Sequence, residues 1–294
     1  MIENLNGIFE TVNFKKLPSI KVYHNNKFEN YPLHWHTPIE IIMPINNWYD
    51  ITCGDKTFRL EEYDIALIIS GTLHKLTAPE RGKRLIFQID CSVFHAMKEP
   101  NTILSFLAPL TIITKKTYPT IHTQIIQILM SIHDEYFSNG TFTETFIYFK
   151  ILEILVLLGK NYTESNTHFD VGISKQQEYA EKFLDICDYI NAHYMEDLTL
   201  DFIADLAGFS KYHFTRLFKQ FTKVSFYKFL NQKRILHAEQ LLIHPEYTIT
   251  EISIRSGFSS ISAFNRMFKQ IKGCTPSAFR NMYTPECTSR TECE

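Results

Sequence analysis

A segment near the C-terminus is written twice, about fifty residues apart, and no other feature restricts the possible folds as strongly. Phe214-Thr215-Arg216-Leu217-Phe218-Lys219-Gln220 is echoed by Phe264-Asn265-Arg266-Met267-Phe268-Lys269-Gln270. Upstream, Gly208-Phe209-Ser210 answers Gly257-Phe258-Ser259; downstream, Phe229 answers Phe279. A repeat of this length signals a repeated structural unit. Each copy predicts a helix, a glycine turn and a second helix with one apolar and one cationic face. That layout places a helix in the major groove of DNA.

The punctuation of both copies agrees. Thr248-Ile249-Thr250-Glu251 fits a capping box, Gly257 supplies the left-handed residue that ends the first helix, and Ser259 or Ser260 caps the next. Thr199, Gly208 and Ser210 do the same in the first copy, and the small Ala204 and Ser253 fall where two helices would cross. On a helical wheel Phe214, Leu217, Phe218 and Phe221 share the inner face, leaving Tyr212, Thr215, Arg216 and Lys219 outside. The second copy puts Phe264, Met267, Phe268 and Ile271 inside and Ser262, Asn265, Arg266 and Lys269 outside. Arg binds guanine bidentately, Asn binds adenine, and Lys and Thr hold phosphate. Two such helices in one chain would enter successive major-groove segments, about 34 Å apart.

Charge supports a polyanionic partner once it is resolved along the chain. The net charge is −2, yet residues 211–284 hold twelve Lys and Arg against three Glu, an excess of nine that leaves −11 for the rest. Six cysteines without a C-x-x-C pair, and a start lacking a cationic and an apolar region, predict reduced thiols in a cytoplasmic protein. The longest apolar stretch, residues 146–158, is interrupted by Lys150 and Glu153 and is too short to span a bilayer.

The predicted fold is multidomain: an N-terminal β-barrel with a helical pair, then an all-α domain with two helix-turn-helix units. Short β-rich runs at 39–45, 48–52, 56–60, 65–69 and 84–89 are separated by turn residues, which favours a small barrel or sandwich over residues 1–117. Apolar spacing of three and four then predicts a helix over 119–137 and a second over 143–158. This element, residues 118–160, carries surplus apolar surface suited to a homodimer seam. Residues 161–175 read as a linker, 176–284 as the DNA-binding domain and 285–294 as a tail.

The C-terminal region resembles the DNA-binding domain of the AraC/XylS family of bacterial transcription regulators. The matching text includes Leu206-Ala207-Gly208-Phe209-Ser210, Arg216-Leu217-Phe218-Lys219, Arg234-Ile235-Leu236-His237-Ala238, Gly257-Phe258-Ser259 and Thr275-Pro276-Ser277-Ala278-Phe279-Arg280. The resemblance implies base-reading positions at Tyr212, Thr215 and Arg216, and at Ser262, Asn265 and Arg266 with Ile261 beside them. Lys223 stands where that family has glycine, which predicts a rearranged turn, and Ile261 is apolar where a polar reader is common.

His34-x-His36, Glu40 and His74 resemble the H-x-H-x3-E…H pattern of cupins. In a strand, positions 34, 36 and 40 share one face. Three His and a carboxylate suit Fe, Mn, Ni or Zn, so one alternative is a metal-dependent cupin enzyme fused to a DNA-binding domain. The AraC/XylS resemblance instead implies that the His and Glu set is kept without a metal or other cofactor. Trp35, Trp48, Tyr49, Arg59 and His74 fall on strands or turns suited to a barrel mouth, and with His34 and His36 they predict a pocket for a sugar or similar small metabolite. The resulting expectation is a cytoplasmic, homodimeric, non-enzymatic regulator that binds double-stranded DNA at paired half-sites and meets RNA polymerase if it activates. A second alternative is an effector-independent dimeric regulator.

Overall fold

The computed structural model describes residues 5–6, 8–26, 28–95, 97–138, 140–166 and 173–281. The strands are β1 (Leu5–Asn6), β2 (Phe9–Glu10), β3 (Ile20–Asn25), β4 (Tyr31–His34), β5 (Ile39–Asn46), β6 (Tyr49–Cys53), β7 (Lys56–Leu60), β8 (Ile65–Ile68), β9 (His74–Thr77) and β10 (Lys83–Ile89). Helices α1 (Ser92–His95) and α2 (Lys98–Leu107) precede the last strand, β11 (Leu110–Ile113). Then follow α3 (His122–Ser138), α4 (Thr143–Asn166), α5 (Ile173–His193), α6 (Leu200–Leu206), α7 (Lys211–Thr222), α8 (Phe226–Leu242), α9 (Ile249–Arg255), α10 (Ile261–Lys272) and α11 (Pro276–Asn281).

Apart from the β1-β2 hairpin, the strands form two antiparallel sheets, the sandwich form of the barrel or sandwich expected, and do not close into a barrel. One has the order β11-β8-β5-β10-β3 and the other β4-β9-β6-β7, with no ladder joining them among the described residues. The five-stranded sheet is covered on both faces, which is why β5 is an almost unbroken apolar run. Its Ile39, Ile41 and Met43 pack on Ile125, Leu129 and Ile132 of α3 and on Ile147, Ile151 and Leu155 of α4. The intervening Ile42 packs instead with Tyr49, Ile51, Leu60 and Leu76 of the four-stranded sheet. That second sheet alternates, burying Tyr49 and Ile51 while Asp50 and Arg59 form a surface ion pair.

The C-terminal region is all helical, as the repeat predicts. Helices α5, α6 and α7 surround Phe183, Phe214, Phe218 and Phe221, and α9, α10 and α11 surround Phe264, Phe268 and Phe279. Helix α8 contributes Phe229 to the first cluster and Ile235 and Leu242 to the second, so it joins the two units. Thr199, Ser210, Thr248 and Ser260 each accept a backbone N–H at a helix start, and Thr248 with Glu251 completes the capping box. Lys223 adopts φ 62°, matching Gly273 at φ 75°. The turn is therefore kept rather than rearranged, at a strain of about 1 kcal/mol. Helix α4 runs to Asn166 and α5 begins at Ile173, so most of the segment read as a linker is helical and 167–172 lies outside the described residues, as do 282–294.

The two halves are docked. Phe106 of α2 stacks on Tyr162 of α4 and meets Phe221 and Phe229 of the first helix-turn-helix unit. Lys98 pairs with Asp185 and Asp188 of α5, and Asn191 donates to Thr102 at 2.8 Å. Among the described residues no helix is long and apolar enough to cross a membrane.

Candidate nucleic-acid interface and sensor cluster

The second helix of each unit presents the face that the sequence assigns to it. On α7, Tyr212, Thr215, Arg216 and Lys219 are exposed while Phe214, Leu217 and Phe218 are buried. On α10, Ile261, Ser262, Asn265, Arg266 and Lys269 are exposed above Phe264 and Phe268. The Thr215 hydroxyl donates to the Lys211 carbonyl of its own helix at 2.8 Å, so toward a partner it offers an acceptor or an apolar contact. Lys211, beside this face, is engaged with Asp201 at 2.9 Å.

Of the N-terminal candidates, His34, His36 and His74 come together in the buried interior, with Glu40 against His36 and His74. His74 Nε2 lies 3.3 Å from Glu40 Oε2, and His36 Nε2 lies 3.7 Å from Glu40 Oε1. Gln88, directly across the ladder, donates to Glu40 Oε1 at 3.0 Å. Glu10, which the sequence reading missed, reaches within 3.6 Å of His34 Nε2. Burial works against the Glu40 carboxylate, but His36 and His74 overcome it and hold its pKa well below the usual value. Burial also pushes His36 toward its neutral form, and the Glu40 charge more than reverses this. His34 is driven down to about 3, by burial first and then by His74.

Trp48 and Arg59 do not join this cluster. Arg59 is exposed, bound to Asp50 through two hydrogen bonds of 2.8 and 2.9 Å, with its guanidinium 4.1 Å from the Trp48 ring centroid. Strand alternation is the reason: Tyr49, Ile51 and Leu60 take the inner face, so their neighbours point outward. Trp35 is displaced from the expected pocket by the same rule. Flanked by His34 and His36, it leaves the sheet on the opposite side, stacks on Phe279 of α11 at 4.3 Å and meets Phe9 at 4.6 Å.

A cavity of about 390 Å³ lies between the sheet edge, α2 and the DNA-binding helices, lined by Ile69, Leu104, Phe229, Leu236, Ile271 and Lys233. Burial lowers the Lys233 ammonium to about 8, and it donates to Asn101 of α2 at 2.7 Å. Beside the cavity, Lys272 pairs with buried Glu239 at 2.6 Å and donates to the Gly71 carbonyl at 2.9 Å. Burial raises the Glu239 carboxyl to about 7 against the opposing pull of Lys272, from an ordinary value of 4.5. The docked state therefore binds a proton between those values that an open state releases. Its contribution is complete below about pH 4.5 and is lost as pH rises through about 7. Hydrogen exchange of α11, corrected for the intrinsic rate, should show more frequent opening at pH 8 than at pH 6.

Comparison with known proteins locates the same region. A family profile described as a helix-turn-helix domain matches residues 203–282. An uncharacterized HTH-type transcriptional regulator of Staphylococcus aureus (strain COL) is 39% identical over 100 residues, which are 34% of this chain and 13% of that protein. The regulatory protein PocR of Salmonella typhimurium is 37% identical over 92 residues, 31% of this chain and 30% of that protein. The chain thus spans well under half the length of either relative. Among solved structures, ToxT from Vibrio cholerae aligns over 90% of this chain and 97% of its own, at 15% identity and a TM-score of 0.44.

Proposed function

We propose that this chain, whose C-terminal part is an AraC-type helix-turn-helix domain, is a sequence-specific DNA-binding transcription regulator under the control of its N-terminal half. One observation supports this reading above the others: two helices of one chain carry matching exposed cationic faces over matching apolar cores. Tyr212, Thr215 and Arg216 read one major-groove segment, and Ile261, Ser262, Asn265 and Arg266 read the next. Lys219 and Lys269 hold phosphate. The readers differ between copies, so each chain recognises an asymmetric half-site in a fixed direction.

The test uses the sites that the full chain selects from a random duplex library. Arg216→Ala and Arg266→Ala should each cost about 1–3 kcal/mol at the selected site and relax preference at a separate base pair. Lys219→Ala should weaken all duplexes alike and reduce the salt dependence. Failure to enrich any sequence, or unchanged preference in both Arg variants, refutes the reading.

The functional unit we propose is a homodimer formed through α4. Phe149 and Val156 lie seven residues apart on its outer face and are 62% and 46% exposed, and Phe142, 84% exposed, extends the apolar patch from the turn that precedes the helix. Phe149→Asp should convert the dimer to monomer in sedimentation analysis and abolish the extra affinity for paired over single half-sites. The effector is a small, largely apolar molecule in the cavity between the halves, where a ligand touches both and biases their docking.

A further inference from the structure

We propose that His34, His36, His74 and Glu40 form a site for one divalent first-row transition-metal ion, whose occupancy sets how firmly Trp35 holds the second helix-turn-helix unit. The histidines are arranged as ligands. Each Nδ1 faces a backbone carbonyl: Pro32 O at 2.8 Å for His34, Pro38 O at 2.9 Å for His36 and Thr72 O at 2.8 Å for His74. Those bonds place the proton on Nδ1, which in a neutral ring leaves the Nε2 lone pair as the ligand atom. The three rings offer nitrogens within 4.8 Å of one another.

Nothing in the protein satisfies these atoms fully. His36 Nε2, His74 Nε2 and Glu40 Oε2 make no well-aligned hydrogen bond and meet one another only at ion-pair distance, although the three residues are at most 2% exposed. A buried polar atom without a partner is costly, and a bound cation would serve all of them at once. Ligands 2.0–2.1 Å from a tetrahedral ion stand roughly 3.4 Å apart, close to the 3.3 and 3.7 Å between Glu40 and its two histidines. Gln88 fixes the carboxylate from behind, as outer partners of metal ligands do. Three imidazoles with one carboxylate select Zn, Fe, Co, Ni or Mn over Mg or Ca.

The same two backbone segments touch the DNA-binding domain. Trp35 lies between two of the ligands, is 3% exposed, and stacks on Phe279 at an interplanar angle of 17°. Gly71, in the loop that leads to His74, donates to the His36 carbonyl at 2.9 Å and accepts from Lys272 of α10. Drawing the three Nε2 atoms onto one ion fixes the backbone at both contacts, so metal binding and docking of α10–α11 are coupled. The metal site stands independently of DNA recognition; its regulatory meaning rests on the function proposed above.

The experiment takes full-length, chelator-treated protein carrying Trp48→Phe, which leaves Trp35 as the sole survivor of the two tryptophans. Titration with Co²⁺ should saturate at one equivalent with visible absorption bands, quench Trp35 emission, slow hydrogen exchange in α11, and be reversed by excess Zn²⁺. His74→Gln and the near-isosteric Glu40→Gln should each weaken binding at least tenfold while keeping the circular dichroism of the metal-free parent. Absence of saturable binding, or equal binding in both folded variants, overturns the site. Stoichiometric binding that leaves Trp35 emission and α11 exchange unchanged overturns the coupling.

Discussion

Gly257→Ala is expected to unfold the second helix-turn-helix unit, whereas Gly208→Ala at the equivalent place in the first unit should be tolerated. Both glycines have positive φ, 80° and 70°. An L side chain costs about 1–2 kcal/mol in that region, and this term is common to both. The surroundings differ. A Cβ on Gly257 would sit 2.7 Å from the Tyr194 carbonyl oxygen and 2.8 Å from Met195 Cα, whereas one on Gly208 would meet only Lys182 Nζ, at 4.0 Å. Backbone atoms cannot swing aside as a lysine tip can. Arg234 makes this backbone still less yielding, because its guanidinium donates to the carbonyls of Tyr194 and Glu196 at 2.7 and 2.8 Å. The turn after α5 is thus clamped against Gly257, and the total penalty should reach about 4 kcal/mol. Urea unfolding of the two full-length variants, with exchange of α9 and α10 as the local probe, measures the difference. Equal losses in the two variants would show that conformation alone sets the cost.

That asymmetry marks what the sequence could and could not reveal. The repeat made the two units, their caps and their outer faces legible, because capping chemistry and 3.6-residue spacing are local. Ser210, Thr248 and Ser260 act where a serine or threonine before an apolar run predicts. The approach of Tyr194 to Gly257 is tertiary and leaves no periodic trace. Helix α2 escaped notice because it is short and carries Pro100 in its first turn, where proline is tolerated. Yet its Phe106 and Thr102 tie the sheets to the first unit. In the sensor, the alternation that groups His34 with His36 also sends Trp35 away from them. Applied strictly, it would have removed Trp35, Trp48 and Arg59 from the expected pocket.

Trp35→Ala should separate the second helix-turn-helix unit from the sheets without unfolding either. The indole is buried between Phe9 and Phe279, and removing a side chain of that size from a packed site costs about 3–5 kcal/mol. The loss falls on the contact between halves, because Phe264, Phe268 and Ile252 still enclose their own core and the sheet layers do not include Trp35. What remains at this contact is the packing of Ile8, Phe9 and Leu73 and the single hydrogen bond from Lys272 to the Gly71 carbonyl. The first unit stays anchored through Phe106 and Lys98. Exchange should therefore accelerate in α10 and α11, with β5, β10 and α7 keeping their protection. If the N-terminal half governs DNA binding through this contact, the variant should bind its selected sites with an affinity that no effector alters. Coupling free energy is symmetric, so DNA should likewise cease to change effector affinity in Trp35→Ala. Retention of either linkage would place the route through α2 and the first unit instead.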